Sequence, residues 1–87
     1  MGDSDGKRDS IKSDILSTVA DILEISPKDV TSDLAIIDDL PFDSLKLYEL
    51  VISVEEKYGI RLPDEVLDEI RTIDDLVDVV VGLSNKE

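Results

Sequence analysis

From Ile11 onward, apolar residues return at helical intervals. Ile11, Ile15, Val19, Ile22 and Leu23 share one face, Leu16 and Ala20 widen it, and Asp9 or Ser10 supplies a cap. This predicts a first amphipathic helix that ends before Ser26-Pro27. A second helix is predicted from Ser44 to Tyr58, closed by Gly59, the residue best suited to a left-handed C-terminal cap. Pro63 and Asp64 then restart helix, because proline suits the first helical position and acids suit the first turn; Val66, Leu67 and Ile70 make this third piece short. Thr72 and Asp75 have capping-box spacing, and Ile73, Leu76, Val77 and Val80 continue a fourth helix to about Gly82. The valines Val79, Val80 and Val81 favour strand, but the cap and the spacing outweigh a preference of about half a kcal/mol per residue. The expected fold is an all-α four-helix bundle with a short third helix and a long loop between helices 1 and 2. One domain is expected at residues 10–83, between a disordered tail at 1–9 and a frayed one at 84–87.

The long loop, residues 24–42, exceeds the usual connection, yet Val30, Leu34, Ile36, Ile37, Leu40 and Phe42 supply apolar anchors, so it is expected to pack down. Its carboxylates Asp33, Asp38, Asp39 and Asp43 lack the ligand spacing and central glycine of a calcium loop, and no metal site is expected.

Helix 2 carries two apolar stripes. Leu47, Leu50, Val51, Val54 and Tyr58 form a core face. Leu45, Tyr48 and Ile52 form a second stripe well round the helix, flanked by Glu49, Glu55 and Glu56, with Lys46 and Lys57 on the remaining edge. Apolar patches rimmed by polar groups mark partner surfaces, whereas in a bundle the first and third helices could instead cover both stripes.

Composition narrows the chemistry. With 87 residues, no cysteine and no histidine, the chain has neither thiol nucleophile, nor His-based acid/base catalyst, nor Cys/His zinc site. Twenty-two acidic residues against nine basic ones give a formal charge of −13, which repels nucleic acid and anionic membranes and attracts basic protein surfaces. No apolar run reaches the roughly 18–20 residues of a membrane span, and Met1 to Ser10 lacks a signal peptide's apolar segment, so a cytoplasmic, monomeric protein is expected.

Asp43 and Ser44 stand at the start of helix 2, where both residue types serve as caps, so the hydroxyl of Ser44 either caps or is presented to something else. The series Asp38-Asp39-Leu40, Asp43-Ser44-Leu45, Glu49-Leu50-Val51, Glu55-Glu56, Gly59-Ile60, Leu62-Pro63-Asp64 and Thr72-Ile73-Asp74-Asp75-Leu76 resembles an acyl carrier protein in order and spacing. The resemblance implies a carrier, not an enzyme: Ser44 would bear a 4′-phosphopantetheine arm added from coenzyme A by a phosphopantetheinyl transferase. Asp43 would help orient coenzyme A or its magnesium. Acyl groups would ride on the arm as thioesters to an acyltransferase, an acyl or aminoacyl ligase, or a ketosynthase with a basic docking surface. Leu45, Tyr48, Glu49, Ile52, Glu55 and Glu56 would meet that surface, and Val51, Val54, Ile70 and Val77 are candidates to line an apolar cleft. Pro41-Phe42 stands where housekeeping fatty-acid carriers have a small residue or a glycine pair, and Lys46 and Tyr48 are seldom found after their serine. The chain therefore looks more similar to discrete polyketide or related natural-product carriers. Aminoacyl, peptidyl and fatty-acid carriers are the alternatives within the family, and an unmodified acidic helical adaptor, with Ser44 as a cap, is the alternative outside it.

Overall fold

The structure, a computed structural model, describes residues 3–84. Among them lie four helices: α1 (Asp3–Leu23), α2 (Ser44–Tyr58), α3 (Asp64–Leu67) and α4 (Ile73–Ser84), with a 3-10 turn at Pro27–Asp29. The expected four-helix bundle with a short third member is what the chain forms. Ile11, Ile15 and Val19 of α1 pack with Leu50 and Val54 of α2 and with Ile73, Val77 and Val80 of α4, all buried.

Helix α1 begins well ahead of the start expected at Ser10, so residues from Asp3 onward that were read as a disordered tail are helical. The cause lies in α4. The Arg8 guanidinium pairs with Asp78 and lies 3.5 Å from Asp74, and Lys7 Nζ donates to the carbonyl of Ser84 at 3.5 Å. These tertiary contacts extend a polar segment that buries no apolar face of its own. The remaining parts of the expected tails, residues 1–2 and 85–87, lie outside the described residues.

Both long helices before the third end in the same way. Ile25 N–H reaches the Ala20 carbonyl and Ile60 N–H the Glu55 carbonyl, each bond satisfying a carbonyl of the last helical turn. Gly59 takes the left-handed conformation this geometry needs (φ 64°), whereas at the end of α1 it falls to Glu24 (φ 59°), where a side chain makes it more costly. Thr72 and Asp75 form the expected capping box. Thr72 Oγ1 accepts from Asp75 N–H, and Asp75 Oδ2 accepts from the N–H groups of Thr72 and Arg71, which hold its carboxyl below the usual carboxylate range.

The long loop is stapled to the chain between α3 and α4. Ile36 N–H donates to the Arg71 carbonyl (2.8 Å), Ile73 N–H to Leu34 (3.2 Å) and Asp74 N–H to Ser32 (2.8 Å), around an antiparallel bridge of Ala35 with Thr72. Ile36, whose N–H is held by Arg71, enters the core, while Ile37, the next residue of the turn and expected as another anchor, stays 60% exposed. Val30 and Leu40 are buried as expected, and Leu34 and Phe42 pack partly against the core.

At the far end of α2, Tyr58 donates its hydroxyl to Asp14 Oδ2 at 3.1 Å, and Lys57 Nζ lies 3.7 Å from the same oxygen. Burial, and Asp14 as acceptor and neighbouring negative charge, push the phenol up to about 12 from 10.0. A raised folded-state value means that this group's contribution is whole below pH 10 and disappears as pH rises towards 12. Stability measured by denaturant across that interval should fall more steeply for the parent protein than for Tyr58→Phe. Parallel curves would remove Tyr58 as the titrating group.

Candidate functional site

The start of α2 divides two jobs between adjacent residues. Asp43 has the extended backbone of an N-cap (φ −116°, ψ −177°), its Oδ1 accepts from Lys46 N–H at 2.8 Å, and its carbonyl accepts the first helical bond from Leu47. Ser44 is the first helical residue, exposed, and its hydroxyl has no hydrogen-bond partner among the described residues. Capping belongs to Asp43, and Ser44 is left available.

A groove of about 390 Å³ opens beside this hydroxyl. Its α2 wall follows one line of the helix, Ser44, Tyr48, Val51 and Glu55, which recur at i, i+4, i+7 and i+11. Leu62, Asp64 and Leu67 close it from the α3 side. The spacing of the two sides is fixed by Glu55, whose Oε2 accepts from Leu62 N–H at 2.7 Å. Glu55 is half-buried and tied to that backbone, unlike the exposed Glu49 and Glu56 with which it was grouped. The participation of Leu62, Asp64 and Leu67 was not read from the sequence, although the position of Glu55 directly over Ser44 on the helical wheel pointed to a wall there.

Further in lies an apolar cavity of about 110 Å³, and Leu47, Val51, Leu62 and Leu67 line both it and the groove. Val51, Val54 and Ile70 line it as expected. Val77 does not belong to that wall and is fully buried in the core. On the outer face of α2, Leu45 and Tyr48 are 66% and 63% exposed and Ile52 is half-buried, so neither α1 nor α3 covers the second stripe. Lys57, placed on the opposite edge by the wheel, is held by Asp14.

This arrangement fits a phosphodiester-linked arm. The hydroxyl gives up no hydrogen bond on being esterified. The N–H groups of the first turn lack intrahelical acceptors and, with the positive end of the helix dipole, tolerate an anion there.

A family model described as the phosphopantetheine attachment site matches residues 13–80. The meromycolate extension acyl carrier protein of Mycobacterium leprae is 35% identical over 77 residues, covering 84% of this chain and 67% of that protein. The acyl carrier protein of Rhodococcus erythropolis is 37% identical over 70 residues (80% and 77% covered), and that of Tropheryma whipplei 38% over 75 (86% and 92%). Through its fold, its cap-and-serine geometry and these similarities, the chain belongs to the acyl carrier proteins, the non-enzymatic carriers whose prosthetic group is 4′-phosphopantetheine.

Proposed function

We propose that Ser44 is the attachment point of the arm and that the protein delivers acyl groups to partner enzymes. The observation that carries this reading is the exposed hydroxyl, relieved of capping by Asp43 and facing a groove between α2 and α3. When bound, the arm supplies a thiol that carries acyl groups as thioesters. Ser44 fixes where the arm starts, the first turn of α2 receives its phosphate, Glu55 holds the groove open through Leu62, and Asp43 keeps the helix start in place while its carboxylate helps orient coenzyme A. Coexpression with a broad-specificity phosphopantetheinyl transferase should add the mass of one arm. An unchanged mass would leave the adaptor reading, in which the serine is never modified.

Partner enzymes dock on the outer face of α2. Leu45, Tyr48 and Ile52 supply the contact that excludes water, and Glu49 and Glu56 steer a basic surface towards it. Glu49→Lys should slow association and flatten its salt dependence, whereas Tyr48→Ala should mainly speed dissociation, at about 1 kcal/mol or more for an aromatic anchor. Lys28→Glu, on the 3-10 turn, is the control, since Lys57 is committed to Asp14. If acyl transfer from the cognate enzyme responds equally to Tyr48→Ala and Lys28→Glu, this docking face is wrong.

The charge of −13 supports a monomer kept in solution. For the pathway, Pro41-Phe42, Lys46 and Tyr48 support a polyketide or related natural-product carrier. The similarity to meromycolate extension carriers favours a second reading, extension of fatty-acid-like chains. Intact-mass analysis of the protein from its native cells separates the two by the acyl group found.

A further inference from the structure

Helix α4 carries Asp74, Asp75 and Asp78 and no basic residue of its own. Asp74 and Asp78 stand four residues apart, a spacing at which like charges destabilise a helix. The missing cations come from α1. The Arg8 guanidinium pairs with Asp78 and lies 3.5 Å from Asp74, while Lys7 Nζ donates to the Ser84 carbonyl at 3.5 Å, at the negative end of the α4 dipole. The stretch of α1 that brings them includes Gly6, a poor helix former at which a Cβ would meet nothing within 4 Å. Asp74 is also held from a second side, because its N–H donates to the Ser32 carbonyl at 2.8 Å. One residue thus joins the start of α1 to the staple of the long loop.

We propose that Arg8 makes the first turns of α1 an ionic strap over α4, and that this strap loosens the staple of the long loop as salt rises. Arg8 acts as a positioning residue: its planar fork engages two carboxylates at once, and through Asp74 it steadies the backbone that receives Ser32. All three side chains are partly exposed, so mobile ions reach and screen the pair. The rest of the molecule responds in the opposite sense, since screening relieves the self-repulsion of a chain with a charge of −13. At the strap, salt works against the fold that it favours elsewhere. The loop so secured runs directly into Asp43 and Ser44, and the ionic surroundings set how firmly that approach is held. The strap holds whether or not Ser44 is modified.

The test is amide hydrogen exchange on the full chain, with sodium chloride raised from about 0.1 M to about 1 M, over which the screening length falls from about 10 Å to about 3 Å. The rates of the three staple donors, Ile36, Ile73 and Asp74, are read as ratios to that of Ile60, whose N–H is bound to the Glu55 carbonyl at the far end of α2. An exposed ion pair shifts an equilibrium by up to about fivefold, so these ratios should rise about threefold across the range in the parent protein. In Arg8→Gln they should begin about threefold higher and stay level. Gly6→Ala added to Arg8→Gln should restore helix at the start of α1 and leave the ratios high. Ratios indifferent to salt in the parent protein would overturn the proposal, as would a rise of equal size in Arg8→Gln. So would a return to parent values in the double variant, because helicity of α1 without the charge would then be what holds α4.

Discussion

Ser44→Ala will abolish the gain in mass on treatment with transferase and coenzyme A while leaving the fold intact. The hydroxyl makes no hydrogen bond that the substitution could break, alanine is the best helix former, and the cap remains on Asp43, so the change in stability should stay within about 0.5 kcal/mol. Folding and modification are then read separately on one sample, by melting and by intact mass. Asp43→Asn sharpens the comparison, because asparagine caps about as well as aspartate. A slowed modification in that variant, with an unchanged melting temperature, assigns the lost rate to the carboxylate's charge. Persistent modification of Ser44→Ala would transfer the arm to another residue and end the proposed function as stated.

Leu50→Ala should bring the largest loss of stability. Leu50 is 1% exposed and belongs both to the core shared by α1, α2 and α4 and to the wall of the inner cavity. Truncating a buried leucine costs about 2–5 kcal/mol, a large share of the roughly 4–13 kcal/mol that a chain of this length commands. For a domain of this size, that corresponds to a fall in melting temperature of roughly 8–40 °C. A loss below about 1 kcal/mol in chemical denaturation would mean that the neighbouring side chains collapse into the space, and that the cavity floor is softer than its burial indicates.

Much of this was legible in the sequence, and the reasons are local. Asp43 and Gly59 bracket α2 because a cap and a left-handed glycine act within a few residues of themselves, and Thr72 with Asp75 marks the start of α4 in the same way. Periodicity separated the two stripes of α2, and the exposed one is as the spacing predicts. What escaped depends on partners distant in the chain. The early start of α1 needs Asp74 and Asp78 opposite Arg8, and no pattern within the first ten residues encodes that. Ile36 and Ile37 are identical in type, so only the bridge to Thr72 decides which one is buried. Glu55 resembles its neighbours Glu49 and Glu56 until Leu62 N–H claims its carboxylate. The inner cavity arises from four separate segments, the long loop, α2, the stretch around α3 and α4, and leaves no motif.

The staple between the long loop and the α3–α4 connection sets an order of events. Ser32, Leu34 and Ile36 find their backbone partners roughly forty residues later in the chain, and closing so long an interval costs entropy that only the finished pairing offsets. During synthesis, α1 and α2 leave the ribosome before Arg71 to Asp74 exist to receive the loop. Ser44 therefore emerges before the turn around Ile37 can be fixed to Arg71. A nascent chain passes through a stage that offers the serine before the loop is closed, and hydrogen exchange on a truncated protein ending at Ile60 should find the Ile36 amide, held by Arg71 in the full chain, open.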